Sequence, residues 1–257
     1  MGSEMCIRDR TRLVAITQVS NVLGHPTPVE EIVRRARKSN AVVVLDAAQS
    51  SPHMPIDVQK LDVDFLAFSG HKLMGPMGIG VLYGKKKLLK AMPPFLTGGE
   101  MIDSVTRDGA KYAELPHKFE AGTVNAAGAV GLAAAIDYIN KIGFETMQER
   151  ELTLTKRALE GLKAIPKVHV LGSELAEEHT GILTFTIEDV HPHDVSAVLE
   201  FDGVAVRAGH HCAQPLLEYL GVRSATRASL MFYNTEEEVD ALVKSVAGVR
   251  RRMGYGE

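Results

Sequence analysis

Two cysteines, Cys6 and Cys212, are all that this 257-residue chain contains, too few for the disulfide framework of a small secreted scaffold. No apolar run approaches the roughly 20 residues that cross a bilayer, and no signal peptide is recognisable. Charge of one sign is scarce as well: 29 Lys and Arg are scattered among 32 Asp and Glu, for a formal charge of −3. Neither a nucleic-acid footprint nor a polybasic membrane patch can be built from that distribution. The one basic run, Arg250-Arg251-Arg252, reads as the solvated end of a helix, where cations complement the helix dipole. A cytoplasmic protein with neither nucleic acid nor membrane as partner is expected.

What is present is an alternation of strand and helix. Leu13 to Gln18 is a near-continuous β run of the kind found inside a parallel sheet. Thr27-Pro28-Val29-Glu30 reads as a capping box with proline at the first helical position, and predicts a helix to about Ser39. Strands ending at Asp46 and Phe68 follow, then a returning strand, Gly80 to Tyr83, and a basic helix from about Lys85. This βαβ spacing implies parallel strands joined by right-handed crossovers. Pro93 to Asn125 reads as a long irregular loop, functional or at an interface. Two helices are expected from Ala126 to Ile165, jointed at Gly143. Beyond Pro166, strands Val168 to Leu171, Gly181 to Ile187, Gly203 to Arg207 and Thr226 to Leu230 alternate with helices from His193, after Pro215 and from Thr235. The expected class is α/β, with a large domain over residues 11–170 and a small α+β domain over 171–257. Residues 1–10 carry neither periodicity and are expected to be foreign or disordered.

The chemistry concentrates at strand ends. Lys72 follows the apolar strand Asp64 to Phe68 within Ser69-Gly70-His71-Lys72, and Asp46 closes the strand before it. A partly desolvated lysine amine can attack a carbonyl to form a Schiff base. A carboxylate at a neighbouring strand end is what pyridoxal phosphate requires to keep its ring nitrogen protonated. By itself Asp46 reads first as a helix cap, and only its context reverses that order. Cys212 lies in a loop rich in glycine and histidine, after Arg207, where positive neighbours favour a nucleophilic thiolate. His210-His211-Cys212 does not have the ligand spacing of a structural zinc site, and no metal is expected. The guanidinium of Arg227 suits a carboxylate in bidentate fashion. The glycines from Gly75 to Gly80 match neither the dinucleotide fingerprint nor a P-loop.

Five ordered motifs carry a family resemblance: Val19-Ser20-Asn21-Val22-Leu23-Gly24, Ser69 to Pro76, Phe119-Glu120-Ala121-Gly122-Thr123, Arg207 to Pro215, and Arg227-Ala228-Ser229. From about Thr11 onward the chain resembles the cysteine desulfurases of the class V aminotransferase family, and within them the Suf-type branch. The resemblance implies a type I pyridoxal-phosphate-dependent transferase fold with a partial large domain, lacking the family's N-terminal portion. It implies catalysis by Lys72, Cys212 and His71, cofactor binding by Asp46, Gln49, Ser69, His71, Lys72 and Thr123, and substrate binding by Asn21, Arg207 and Arg227. Thr123 would reach the phosphate of a partner subunit in a homodimer. The implied reaction converts L-cysteine to L-alanine through a persulfide on Cys212, passing sulfur to a Suf acceptor protein for iron–sulfur cluster assembly. Two alternatives stand beside it: a selenocysteine lyase acting on L-selenocysteine, and an inactive fragment acting only through dimer contacts.

Overall fold

The computed structural model describes residues 7–256; of the segment expected to be foreign, residues 1–6 lie outside the described residues. Contacts divide the chain into two compact units. Of the described residues, the first comprises 7–17, 28–52 and 56–141, and the second 18–27, 53–55 and 142–256.

The sheet of the first unit is built from β1 (Leu13–Thr17), β2 (Val42–Asp46), β3 (Phe65–Ser69) and β4 (Gly80–Gly84), in that order. The first three run parallel and β4 returns antiparallel to β3. The valine-rich β2 buries Val43 and Leu45 against α1 (Val29–Lys38), whose Val29, Ile32, Val33 and Ala36 recur at helical spacing on one face. The expected capping box does not form: Pro28 is the N-cap and no side chain bonds to the first turn. The Thr27 backbone is already committed, its N–H donating to the Gln18 carbonyl beside the Val19–Pro26 bridge.

Asp64, buried just ahead of β3, sets the register of this sheet. Its Oδ2 accepts from Arg37 Nη1 at 2.7 Å and from the Val43 N–H at 2.8 Å, while Lys85 Nζ lies 3.1 Å from Oδ1. Burial opposes ionisation of this carboxyl, but Arg37, the Val43 N–H and Lys85 together hold it below its ordinary value.

After α2 (Val58–Leu61) and α3 (Lys86–Ala91), the stretch expected to be irregular contains a hairpin of β5 (Ile102–Val105) and β6 (Ala110–Tyr112). Helices α4 (Ala126–Ile142) and α5 (Phe144–Lys163) meet at Gly143, as expected, with its φ at 86°.

The second unit is an antiparallel sheet of β7 (Val168–Leu171), β8 (Ile182–Ile187), β9 (Arg207–Gly209) and β10 (Ala225–Ser229) in the order β7-β8-β10-β9. It packs with α5, α6 (Pro192–Phe201) and α8 (Glu236–Arg252), and α7 (Gln214–Tyr219) completes the unit. The contact division falls at residue 142 rather than near 170, because Leu154, Ala158, Leu159 and Leu162 of α5 belong to the same core as Phe185, Leu199 and Val246. The strand expected from Gly203 begins only at Arg207. Gly203, at φ 78°, and Val204, whose N–H returns to the Leu199 carbonyl, are spent ending α6. A capping box of Thr235 and Glu238 starts α8, and Arg250, Arg251 and Arg252 fill its last turn as expected.

Candidate active site

In the first unit the carboxyl ends of β2 and β3 lie side by side, with Asp46 opposite Ala67. That end of a parallel sheet is where open α/β folds bind ligands. Asp46 is exposed there, its Oδ1 accepting the Ala48 N–H at 2.9 Å, and Gln49 lies half-buried in the turn that follows. No helix starts at Asp46, so the bond closes a local turn instead of capping a helix and leaves the carboxylate at the strand end. β3 ends in Ser69 and runs into one tight helical turn, Gly70–Leu73, anchored by the Gly70 N–H on the Ile79 carbonyl at 2.8 Å. Within that turn His71 is exposed and Lys72 half-buried. Asp46, Gln49, Ser69, His71 and Lys72 therefore share one edge of one sheet. Thr123 is exposed on the loop leading into α4 and makes no described side-chain hydrogen bond to that group.

The second unit gathers the other expected residues. β9 and β10 set Arg207 opposite Arg227. Arg227 Nη1 donates to the Asn21 carbonyl at 2.9 Å, while its buried Nε has no partner among the described residues. Burial pushes the Arg227 guanidinium below its ordinary value and the charge of Arg207 adds to this, with Cys212 acting in the opposite sense. So basic a group stays charged regardless, and an unpaired buried N–H on a cation calls for an anionic acceptor.

Asn21 turns its amide the other way, Nδ2 donating to the His211 carbonyl at 2.6 Å. Cys212 is exposed, and Arg207 Nη2 stands 4.0 Å from its Sγ. Both His211 and Cys212 adopt left-handed conformations, at φ 53° and 58°, which costs non-glycine residues roughly 1–2 kcal/mol each. His211, which the sequence offered only as one member of the weak metal motif His210-His211-Cys212, is 3% exposed, and its Nε2 lies 3.0 Å from the Ala225 carbonyl. Among the described residues no group of three metal-ligating side chains occurs.

A sequence profile described as aminotransferase class-V matches residues 2–242. The chain belongs to that family. It is 50% identical over 248 residues to a probable cysteine desulfurase of Streptomyces coelicolor, covering 96% of this chain and 59% of that protein. A cysteine desulfurase of Pectobacterium atrosepticum is 49% identical over 247 residues, covering 96% and 60%. Among solved structures, the cysteine desulfurase CsdA of Escherichia coli superposes with a TM-score of 0.91 at 41% identity, covering 96% of this chain and 61% of that one. The chain thus spans about three-fifths of the length of the curated relatives it matches. A more distant neighbour, C-DES, holds a ligand linked to its pyridoxal phosphate, at 26% identity and a TM-score of 0.82. In this family member the strand-end set suits that cofactor: an amine, a carboxylate, an amide, and a hydroxyl and imidazole suited to a phosphate.

Proposed function

We propose that the chain is the larger part of a pyridoxal-phosphate-dependent cysteine desulfurase of the Suf type, forming L-alanine from L-cysteine and carrying the sulfur as a persulfide on Cys212. The observation that carries this reading is the grouping, on one small sheet and the turn that leaves it, of an exposed cysteine beside Arg207 and a half-buried Arg227 whose buried Nε lacks an acceptor among the described residues. The profile match and the names of the relatives support it. Lys72 would hold the cofactor, Asp46 would keep its ring nitrogen protonated, and Gln49, Ser69, His71 and the partner's copy of Thr123 would bind its ring hydroxyl and phosphate. When bound, pyridoxal phosphate supplies an electron sink for the substrate's Cα.

The remaining steps fall to the protein. Arg227 holds the substrate carboxylate, with Asn21 fixing the guanidinium through its carbonyl. The Lys72 amine takes the Cα proton. Cys212 thiolate attacks the substrate sulfur; a sulfur–sulfur bond forms, the carbon–sulfur bond breaks, and its electron pair stays with the carbon skeleton that leaves as alanine. The persulfide then passes to an acceptor protein for iron–sulfur cluster assembly, in a cytoplasmic homodimer.

The test uses the protein extended to full family length, with Cys212→Ser. Serine is far too weak an acid to replace the thiolate, so spectral change on adding cysteine should persist while alanine release falls to background. Undiminished alanine release would refute sulfur transfer through Cys212. Competition between cysteine and selenocysteine separates the desulfurase from the lyase.

A further inference from the structure

His211 serves no step of that reaction, yet its surroundings are those of a residue with a task. The Ala225 carbonyl can only accept, so Nε2 carries the proton. Nδ1 is then a lone pair, buried and without a partner among the described residues. A leucine would avoid burying a bare ring nitrogen, but it would take the donor away from the Ala225 carbonyl. The next residue is Cys212, and the peptide between them is gripped a second time where Asn21 Nδ2 donates to the His211 carbonyl. Two successive left-handed residues without glycine persist only where their surroundings hold them.

From this geometry we infer that His211 is a positioning residue: its bond to the β10 backbone locks the left-handed turn that presents Cys212 Sγ to Arg207. Burial and the Arg227 charge both push the imidazole below its ordinary value, which keeps it neutral and keeps a second positive charge out of the turn. The inference rests on the reading of Cys212 as sulfur acceptor, but it concerns the shape of the turn and can be tested without cofactor.

The test is alkylation of Cys212 in the 257-residue chain by iodoacetate and by iodoacetamide, followed by peptide mass spectrometry that separates it from Cys6. Arg207 draws the anionic reagent in, so the ratio of the two rates reports its registration with Sγ. His211→Leu should lower that ratio about two- to fivefold, the scale of one charge contact near 4 Å in water. His211→Gln, which places an amide N–H as far from the backbone as Nε2, should restore it. An unchanged ratio in His211→Leu, or a ratio as low in His211→Gln, overturns the inference. If the leucine variant does not fold, His211→Asn takes its place: its shorter amide falls short of Ala225, and equal ratios for the Asn and Gln variants overturn the inference. Nitrogen NMR of labelled histidine should show the Nε2–H tautomer at neutral pH, and the Nδ1–H form would also refute it. Failure of the complete protein to release alanine would sink the desulfurase reading and leave these rates unchanged.

Discussion

Asp64→Asn removes one charge at nearly constant shape from the network that holds β2, β3, α1 and the Lys85 turn in register. The side chain of Asp64 is 8% exposed, against 32% for Arg37 and 34% for Lys85. A charge-assisted bond from a buried group contributes about 1.5–3 kcal/mol, but two partners a third exposed recover part of that from water. Both cations also reach Asp62. An asparagine oxygen can still accept the Val43 N–H. The expected loss is therefore about 2 kcal/mol, or roughly 4–8 °C in melting temperature for a chain of this size.

The pH dependence follows from the direction of the Asp64 shift. A carboxyl held below its ordinary value contributes stability that is fully present above the unfolded value, near 4, and is lost as pH falls through the folded one. Thermal and urea unfolding followed by circular dichroism should show a constant gap between wild type and Asp64→Asn from about pH 5 to 8 that closes in acid. A variant melting within about 1 °C of wild type at pH 7, or a gap that widens below about pH 4, would refute the reasoning.

Lys72→Ala should bind no reducible cofactor, and borohydride reduction of the loaded wild type should leave its label on the peptide containing Lys72; a label on Lys85 or Lys86 would sink the assignment. In the full-length protein Arg227→Lys should raise KM for cysteine about 10- to 100-fold with a smaller change in kcat, because an ammonium cannot reproduce a bidentate carboxylate pair; steady-state alanine production checks this. Gly181→Ala should destabilise by roughly 2 kcal/mol or more, since φ is +71° and the added methyl carbon would stand 2.4 Å from the Leu230 carbonyl oxygen; urea unfolding measures it, and a neutral substitution would mean that the two strands part easily there.

Much of the frame is a matter of local pattern. The valine and isoleucine runs of β1 and β2, the Gly143 joint and the start of α8 at Thr235 depend on side-chain period and cap chemistry within a few residues, and the chain announces them. So do Asp46, which closes one apolar strand, and Lys72, in the turn just beyond the next, and parallel pairing alone brings those strand ends to one edge. The Arg207–Arg227 pairing is of another kind, because it needs the β9–β10 register, and an apparent strand start at Gly203 misleads about where that register begins. The α1 cap was lost to a bridge between Val19 and Pro26 that no spacing within Thr27–Glu30 encodes. Likewise α5 belongs with the second sheet through side chains whose partners come much later in the chain. His211 is the sharpest case: the doublet His210-His211 offers two equal imidazoles, and only folding exposes the first and buries the second against Ala225, with its carbonyl held by Asn21 from 190 positions away. Hydrogen bonds over such separations leave no periodic trace, so their assignment belongs to the tertiary structure alone.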